Sequence, residues 1–315
     1  MQHLKQIVVP VDFSTASRNA AQMGAELAKK VGATLRLIHV NDVPPYASSD
    51  QAMMISGLTF HEYSADATQK RLDELTREVS EAHGVEVVSR RLEGAAGSEI
   101  VREVNGIDPA NPRATLVMIP THARKGVPRL LLGSVAEKVV RKSECPVLTF
   151  QSAEGPIDLT KIERVHVPLD LSDVGSSCLD VAAGWCRHFD ASLELVHVLE
   201  DLSSIPSIEW SVHPDQTPTE YYRKAEKSSL ESLAEAAQAS VGESVSTDFC
   251  VRYGFVADEI VENAKEKKAD LIITSTHGYS GFRRLILGSV AERLVRTAPC
   301  PLLVVRPLGE PTDED

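Results

Sequence analysis

Val165-His166-Val167-Pro168-Leu169-Asp170-Leu171-Ser172 is an apolar, β-rich run that ends in Pro, Asp and Ser. It reads as a buried strand stopping at a turn. The same phrase stands 158 residues earlier, as Ile7-Val8-Val9-Pro10-Val11-Asp12-Phe13-Ser14. Further matches follow in order. Leu35-Arg36-Leu37-Ile38-His39-Val40 returns as Leu193-Glu194-Leu195-Val196-His197-Val198, again at 158. Glu99-Ile100-Val101 returns as Glu259-Ile260-Val261 at 160, and Gly133-Ser134-Val135-Ala136-Glu137-Lys138 as Gly288-Ser289-Val290-Ala291-Glu292-Arg293 at 155. Cys145-Pro146 matches Cys300-Pro301, also at 155. Chance supplies one such match, not five in register, so the chain is a duplicated unit. Its 315 residues agree with two domains at a prior of about 150 residues each.

The copies run over 1–151 and 162–307. Ser152-Ala153-Glu154-Gly155-Pro156 reads as the linker, and 308–315 as a frayed acidic tail. The drop in offset from 160 to 155 places five extra residues in the first copy, in the turn-rich stretch from Asn105 to Pro112.

Within the second copy, strand and helix patterns alternate. Strand patterns cover 164–169, 192–199, 245–252, 271–274 and 302–306. Helical spacing through Cys178, Val181, Ala182, Trp185 and Phe189 predicts a helix over 174–189. Others are expected at 219–240, with Thr217 or Thr219 as N-cap, at 256–267 and from Ser289. Leu271-Ile272-Ile273-Thr274 is continuously apolar, as a strand buried on both faces must be. This order predicts an α/β fold: two tandem doubly wound, Rossmann-like domains, each with a five-stranded parallel sheet. In such sheets ligands bind beyond the carboxyl ends of the strands, at the switch point.

The balance of 33 Lys+Arg against 45 Asp+Glu gives a formal charge of -12, which excludes a general nucleic-acid partner. The apolar runs are strand-length, so no membrane partner is expected. Nothing near Met1 resembles a signal peptide. The five cysteines, none with CxxC spacing, read as reduced thiols of a cytoplasmic protein without a structural zinc.

Two loops of the second copy carry the chemistry. The first is the turn Pro168-Leu169-Asp170; the Asp170 carboxylate suits a ribose, a base amine or a metal. The second runs from Ser275-Thr276-His277-Gly278 to Gly288-Ser289, where a helix begins. Its free N–H groups and positive dipole end suit phosphate. The bland alternative weighs equally: Ser289 caps the helix, and the two glycines serve turns. His39 and His197 read as packed, hydrogen-bonded side chains; His122 and His277 follow a Thr in the loop without a catalytic set around them. Arg129 and Arg284 read as shielding a helix end or pairing with an acid, and the cysteines as core or structural thiols.

At these residues the chain resembles the universal stress protein family. The resemblance lies in the Val-Pro-x-Asp-x-Ser segments and in the closing Gly-Ser-Val-Ala-Glu signature, and it covers nearly the whole chain twice. It implies an adenine-nucleotide site, with ATP as ligand and Mg²⁺ or Mn²⁺ accompanying it. Asp170 would stand at the adenine–ribose end and Val198 beside the base. Gly278, Gly288, Ser289 and the Val290 backbone would hold the phosphates. The resemblance also implies antiparallel pairing of final strands, here within one chain as a pseudo-dimer; a homodimer of chains is a further option.

The copies depart from the family pattern unequally. Ser275 replaces the first glycine of the second copy and keeps its N–H. The first copy reads Pro120-Thr121-His122-Ala123. Pro120 has no N–H, and Ala123 carries a Cβ where the family uses glycine. Nucleotide binding is therefore expected in the second copy, with the first empty or structural. Three functions compete: an ATP-binding stress-response module acting through protein partners, a weak ATP-hydrolysing enzyme, and a scaffold without nucleotide. The chain has neither a Walker A motif nor the Ser-Gly-Gly-x-Asp-Ser loop of related synthetases, which favours the module over the enzyme.

Overall fold

The structure is a computed structural model that describes residues 4–41, 50–121, 132–151, 157–171, 177–200, 218–276 and 287–307. Gly278, His277, Arg284, His122, Ala123, Arg129, Thr217, the linker at 152–156 and the acidic tail lie outside these residues. Two compact units, 2–161 and 162–311, divide the chain.

Unit 1 holds β1 (Gln6–Pro10), α1 (Thr15–Val31), β2 (Thr34–Asn41), α2 (Asp50–His83), β3 (Val87–Glu93), α3 (Ala96–Asn105), β4 (Thr115–Pro120), α4 (Ser134–Lys142) and β5 (Val147–Phe150). Its sheet order is β3-β2-β1-β4-β5, every pair parallel. Unit 2 holds β6 (Arg164–Pro168), α5 (Ser177–Phe189), β7 (Ser192–Leu199), α6 (Pro218–Ser240), β8 (Thr247–Tyr253), α7 (Val256–Glu266), β9 (Leu271–Ser275), α8 (Ser289–Thr297) and β10 (Leu302–Val305). Its order is β10-β9-β6-β7-β8, again all parallel. Each unit is thus the doubly wound α/β sheet expected from the strand–helix alternation. β4, β5 and β10 are buried throughout, which accounts for their mostly apolar sequence.

The helices cover the sheets through one apolar stripe each. On α1, Ala20, Met23, Leu27 and Ala28 are fully or almost fully buried, at helical spacing, and the Ser14 hydroxyl accepts from Ser17 N to cap its start. Nine residues connect α3 to β4 and four connect α7 to β9, so the extra length of the first copy sits in that connection, which forms a 3₁₀ turn at Pro112–Ala114.

One backbone device is identical in both units. Gly94 (φ 129°) and Gly254 (φ 143°) follow β3 and β8 in a conformation that favours glycine. A Cβ there would also sit 3.0 Å from the side chain of Glu99 or Glu259. These turns aim the N-termini of α3 and α7 back over the sheet, toward the carboxyl ends of the strands.

Candidate functional site

In unit 2, β6 and β9 pair only at Val165↔Leu271 and His166↔Ile272, then part. That parting is the switch point, since the chain leaves β6 toward β7 on one side and β9 toward β10 on the other. A cavity of about 440 Å³ opens there. Pro168, Leu169 and Asp170 line it from the end of β6, and Val196, His197, Val198 and Glu200 from β7. Thr274, Ser275 and Thr276 close one wall; Gly288, Ser289, Val290 and Ala291 bring the start of α8; Val256 and Ile260 bring α7.

The frame is held by backbone hydrogen bonds. Leu169 N donates to Val196 O at 2.9 Å, and His197 Nδ1 lies 2.9 Å from Leu169 O. His197 therefore fixes where β6 ends, as a packed histidine. Thr276 N donates to Val305 O at 3.0 Å, and Gly288 N to Thr276 O at 2.9 Å. The second bond ties the end of β9 to the start of α8 and engages the Gly288 amide. The helix donors left for a ligand are then the first-turn amides of Ser289, Val290 and Ala291, because the next one, Glu292 N, already bonds Gly288 O at 2.8 Å. Gly288 is the N-cap residue and Ser289 the first helical residue. Ser289 is therefore not the cap, and its hydroxyl stands at the cavity wall.

Strand alternation orients one more donor. Ile272 and Thr276 send their N–H groups to β10 and its approach. Ser275, one residue earlier, faces the β6 side by the same alternation.

Pro168, Leu169, Asp170, Val198, Gly288, Ser289 and Val290, singled out from sequence, all border this one cavity. Thr276 and Ala291, from the same loop and signature, border it as well, and so do Glu200, Thr274 and Ile260, which carry no motif of their own. Their sequence signal was positional: they are the last residues of strands or the apolar stripe of a helix that starts at the same end of the sheet. Among the described residues no group of three or more His, Cys, Asp or Glu could hold a metal. No described helix is long and apolar enough to cross a membrane.

Unit 1 repeats the frame. Val11 N donates to Ile38 O at 2.7 Å, His39 Nδ1 lies 2.7 Å from Val11 O, and Gly133 N donates to Thr121 O at 3.0 Å. Its cavity measures about 470 Å³ and is bordered by Asp12, Val40, Pro120, Gly133 and Ser134, among others.

The cysteines stay outside both cavities. All five are free, and burial pushes the thiols of Cys145, Cys186 and Cys300 up to about 12. These three are packing groups.

Comparison with known proteins agrees with this architecture. The model of the universal stress protein family matches residues 3–151 and again 161–306. A universal stress protein of Methanocaldococcus jannaschii is 32% identical over 149 residues, covering 47% of this chain and 82% of that protein. One from Mycobacterium tuberculosis is 26% identical over 310 residues, covering 95% of this chain and 96% of its own. Among solved structures, a universal stress protein from Archaeoglobus fulgidus shares the fold at TM-score 0.67 and 19% identity, with 98% of each chain covered. Matched by the family model along both halves, the chain belongs to the universal stress protein family as a tandem, two-domain member.

Proposed function

We propose that the protein is a stress-response regulatory module that binds an adenine nucleotide, ATP in the first place, in the cavity of unit 2. The observation that carries the reading is the junction of three features at the switch point of one sheet. These are the first-turn amides of α8, the Ser289 side chain beside them, and Asp170 at the end of β6 in the lining of the same cavity. Phosphate suits the helix start, where free N–H groups and the dipole act together. Ribose hydroxyls suit Asp170, and the apolar base suits Val198, Val256 and Ile260. Gly278 belongs to the same reading as a phosphate-loop residue, although it lies outside the described residues.

The donor set fits a nucleotide accompanied by Mg²⁺ or Mn²⁺. Asp170 and Glu200 bring negative charge to the cavity, and a divalent ion offsets it against the phosphates. Asp170 and the Ser289 hydroxyl are the groups that would face that ion. Signal output would pass through protein partners, with the module cytoplasmic and without turnover of its ligand.

A fluorescent ATP analogue tests the assignment by equilibrium binding to the full chain. Gly288→Asp puts a carboxylate among the α8 amides and is expected to weaken binding by about a hundredfold. Gly133→Asp is expected to leave it unchanged. The opposite pattern would overturn the reading, as would full binding in both variants. Multiple turnover of ATP, lost in Asp170→Ala, would replace the module with an enzyme.

A further inference from the structure

The large apolar side chains that stand exposed among the described residues all lie in one short stretch. Phe249, Tyr253 and Phe255 are 39%, 40% and 79% exposed, on β8 and the turn after it. β8 is the outer strand of unit 2, at the opposite end of that unit's order from β10. The matching places in unit 1 hold Ser89, Glu93 and Ala95. The aromatic edge therefore belongs to one copy and not to the shared frame. Tyr253 is fixed on it: its hydroxyl donates to Glu226 Oε2 at 2.9 Å, and its ring meets that of Tyr222 edge to face at 5.5 Å.

The backbone of this edge has a definite phase. Leu193 N donates to Ser246 O at 2.8 Å, and Gly254 N donates to Leu199 O at 3.0 Å. The even-numbered residues of β8 thus turn their N–H and C=O groups inward, to β7. Thr247, Phe249, Val251 and Tyr253 turn theirs outward, where no described strand pairs with them. An outer strand with exposed apolar side chains and an open row of donors and acceptors is a template for another strand.

β8 is close to its own complement. Laid antiparallel to itself about a two-fold axis through Cys250, it sets Thr247 opposite Tyr253, Asp248 opposite Arg252 and Phe249 opposite Val251, so all seven residues are matched. The four outward residues fall in the hydrogen-bonded pairs, as their backbone phase requires, and Asp248, Cys250 and Arg252 in the closer, non-hydrogen-bonded ones. One face gains aromatic contacts with a β-branched partner, and the other gains two Asp–Arg pairs; both are favourable cross-strand combinations. Asp248 is exposed, and Arg252 is held in position by Glu259 at 2.9 Å and Glu266 at 2.7 Å. Sliding one strand by two residues sets Cys250 opposite Asp248 or Arg252 and leaves two residues of each strand unmatched.

Unit 1 opposes the same arrangement. Gly94 N donates to Asn41 O at 3.0 Å, so β3 has the same backbone phase as β8. A two-fold axis at the matching residue would set Arg90, which is mostly exposed, against its own copy. Like charges directly opposite one another are unfavourable.

We propose that the β8 edge of unit 2 is a self-association surface, and that it joins two copies of this chain by antiparallel β8–β8 pairing centred on Cys250. This is a different strand from the final strands whose pairing the family resemblance implies. The inference uses the outer edge of unit 2 alone and stands whether or not either cavity binds a ligand. One short strand from each copy makes a small interface, so the dissociation constant is expected in the range of about 10–100 µM.

Sedimentation equilibrium of the full chain, from about 1 to 500 µM, tests the proposal across that range. The mean mass is expected to rise from monomer toward dimer. Phe249→Lys places a charge in an apolar pair and is expected to weaken association at least tenfold. Asp248→Arg sets arginine opposite Arg252 of the second copy, twice over, and is expected to weaken it at least tenfold as well. Both positions are exposed, so the monomer keeps its fold, which circular dichroism checks. Ser89→Lys, on the matching edge of unit 1, is expected to leave association unchanged. A monomer throughout the range would overturn the proposal. So would a dimer indifferent to either unit 2 substitution, or one that Ser89→Lys weakens equally.

Discussion

The contact between sheet and third helix is built from opposite chemistry in the two units. In unit 1, Glu103 on α3 receives Arg36 of β2 at 2.9 Å and Arg90 of β3 at 3.0 Å, above the apolar Val8 of β1. In unit 2 the corresponding residues are Asn263 on α7, Glu194 on β7, Cys250 on β8 and His166 on β6. They form a chain. Lys267 Nζ lies 3.8 Å from Glu194 Oε1, and Glu194 Oε2 lies 3.0 Å from His166 Nε2. His166 Nδ1 lies 3.5 Å from Asn263 Nδ2, and Cys250 Sγ donates to Asn263 Oδ1 at 3.6 Å. An amide NH₂ only donates, so His166 accepts at Nδ1 and carries its proton on Nε2, toward Glu194. The carboxylate has moved from helix to strand, and a histidine has replaced a valine. The two units thus place a polar link at this point of the fold with different charges. Both links lie one turn below Ile100 or Ile260, the residues through which these helices border the cavities.

Acid should separate the units more than any other treatment. His166 is only 2% exposed, and burial, helped by the Lys267 and Arg164 charges and opposed by Asp270, lowers its pKa to about 4. In the unfolded chain it titrates near 6.5. Between those values the unfolded state holds more protons, so stability falls as pH falls from about 6.5 to 4, by up to roughly 3 kcal/mol. Glu194 is raised by burial, with Lys267 and Asn263 opposing, so it titrates in the other sense and trims the loss. His166→Gln keeps a donor for Glu194 but cannot be protonated there. Urea unfolding of the two proteins from pH 7 to 4 should show the wild type losing ground to the variant. A constant difference would mean that the link is not the acid-sensitive part of unit 2.

Removing the shared acceptor of unit 1 ranks next. Glu103 is nearly buried, and Glu103→Ala leaves Arg36 without its carboxylate partner. A loss of about 2 kcal/mol is expected, because a largely buried arginine is left without its charged partner. Arg90→Ala should cost under about 1 kcal/mol, since that side chain is mostly exposed and Arg36 stays bound. Equal costs for the two variants would show that the exposed arginine, not the buried one, carries the contact.

The sequence disclosed the repeat, the parallel sheets and most of the unit 2 cavity because these follow from apolar periodicity and from the punctuation of strand ends. Thr274 and Ile260 escaped notice because nothing local distinguishes a cavity-lining residue from a core residue on the same strand or helix. The engaged Gly288 amide escaped too: the motif marks a helix start, but its first N–H turns to Thr276 O. The polar links were hidden for a different reason. Arg36, Glu103, His166 and Asn263 are scattered between 13 and 97 residues from their partners, and each alone reads as an ordinary surface or strand residue. Only parallel pairing, such as Val8↔Arg36 and His166↔Glu194, brings them side by side.

The smallest effect belongs to Cys250, which sits where unit 1 has Arg90. Burial raises its thiol pKa, and the Glu194 charge adds to that, against Arg252 and Lys267. Cys250 is half-buried, whereas Cys145, Cys178 and Cys186 are buried, so among these it should be the first to react with iodoacetamide, and slowly, at pH 8. Glu194→Gln removes the carboxylate and keeps the volume. Thiolate then forms at lower pH, and peptide mapping should show labelling of Cys250 about twofold faster. An unchanged rate would mean that Glu194 does not act on Cys250, which then joins the polar chain of unit 2 only through its hydrogen bond to Asn263.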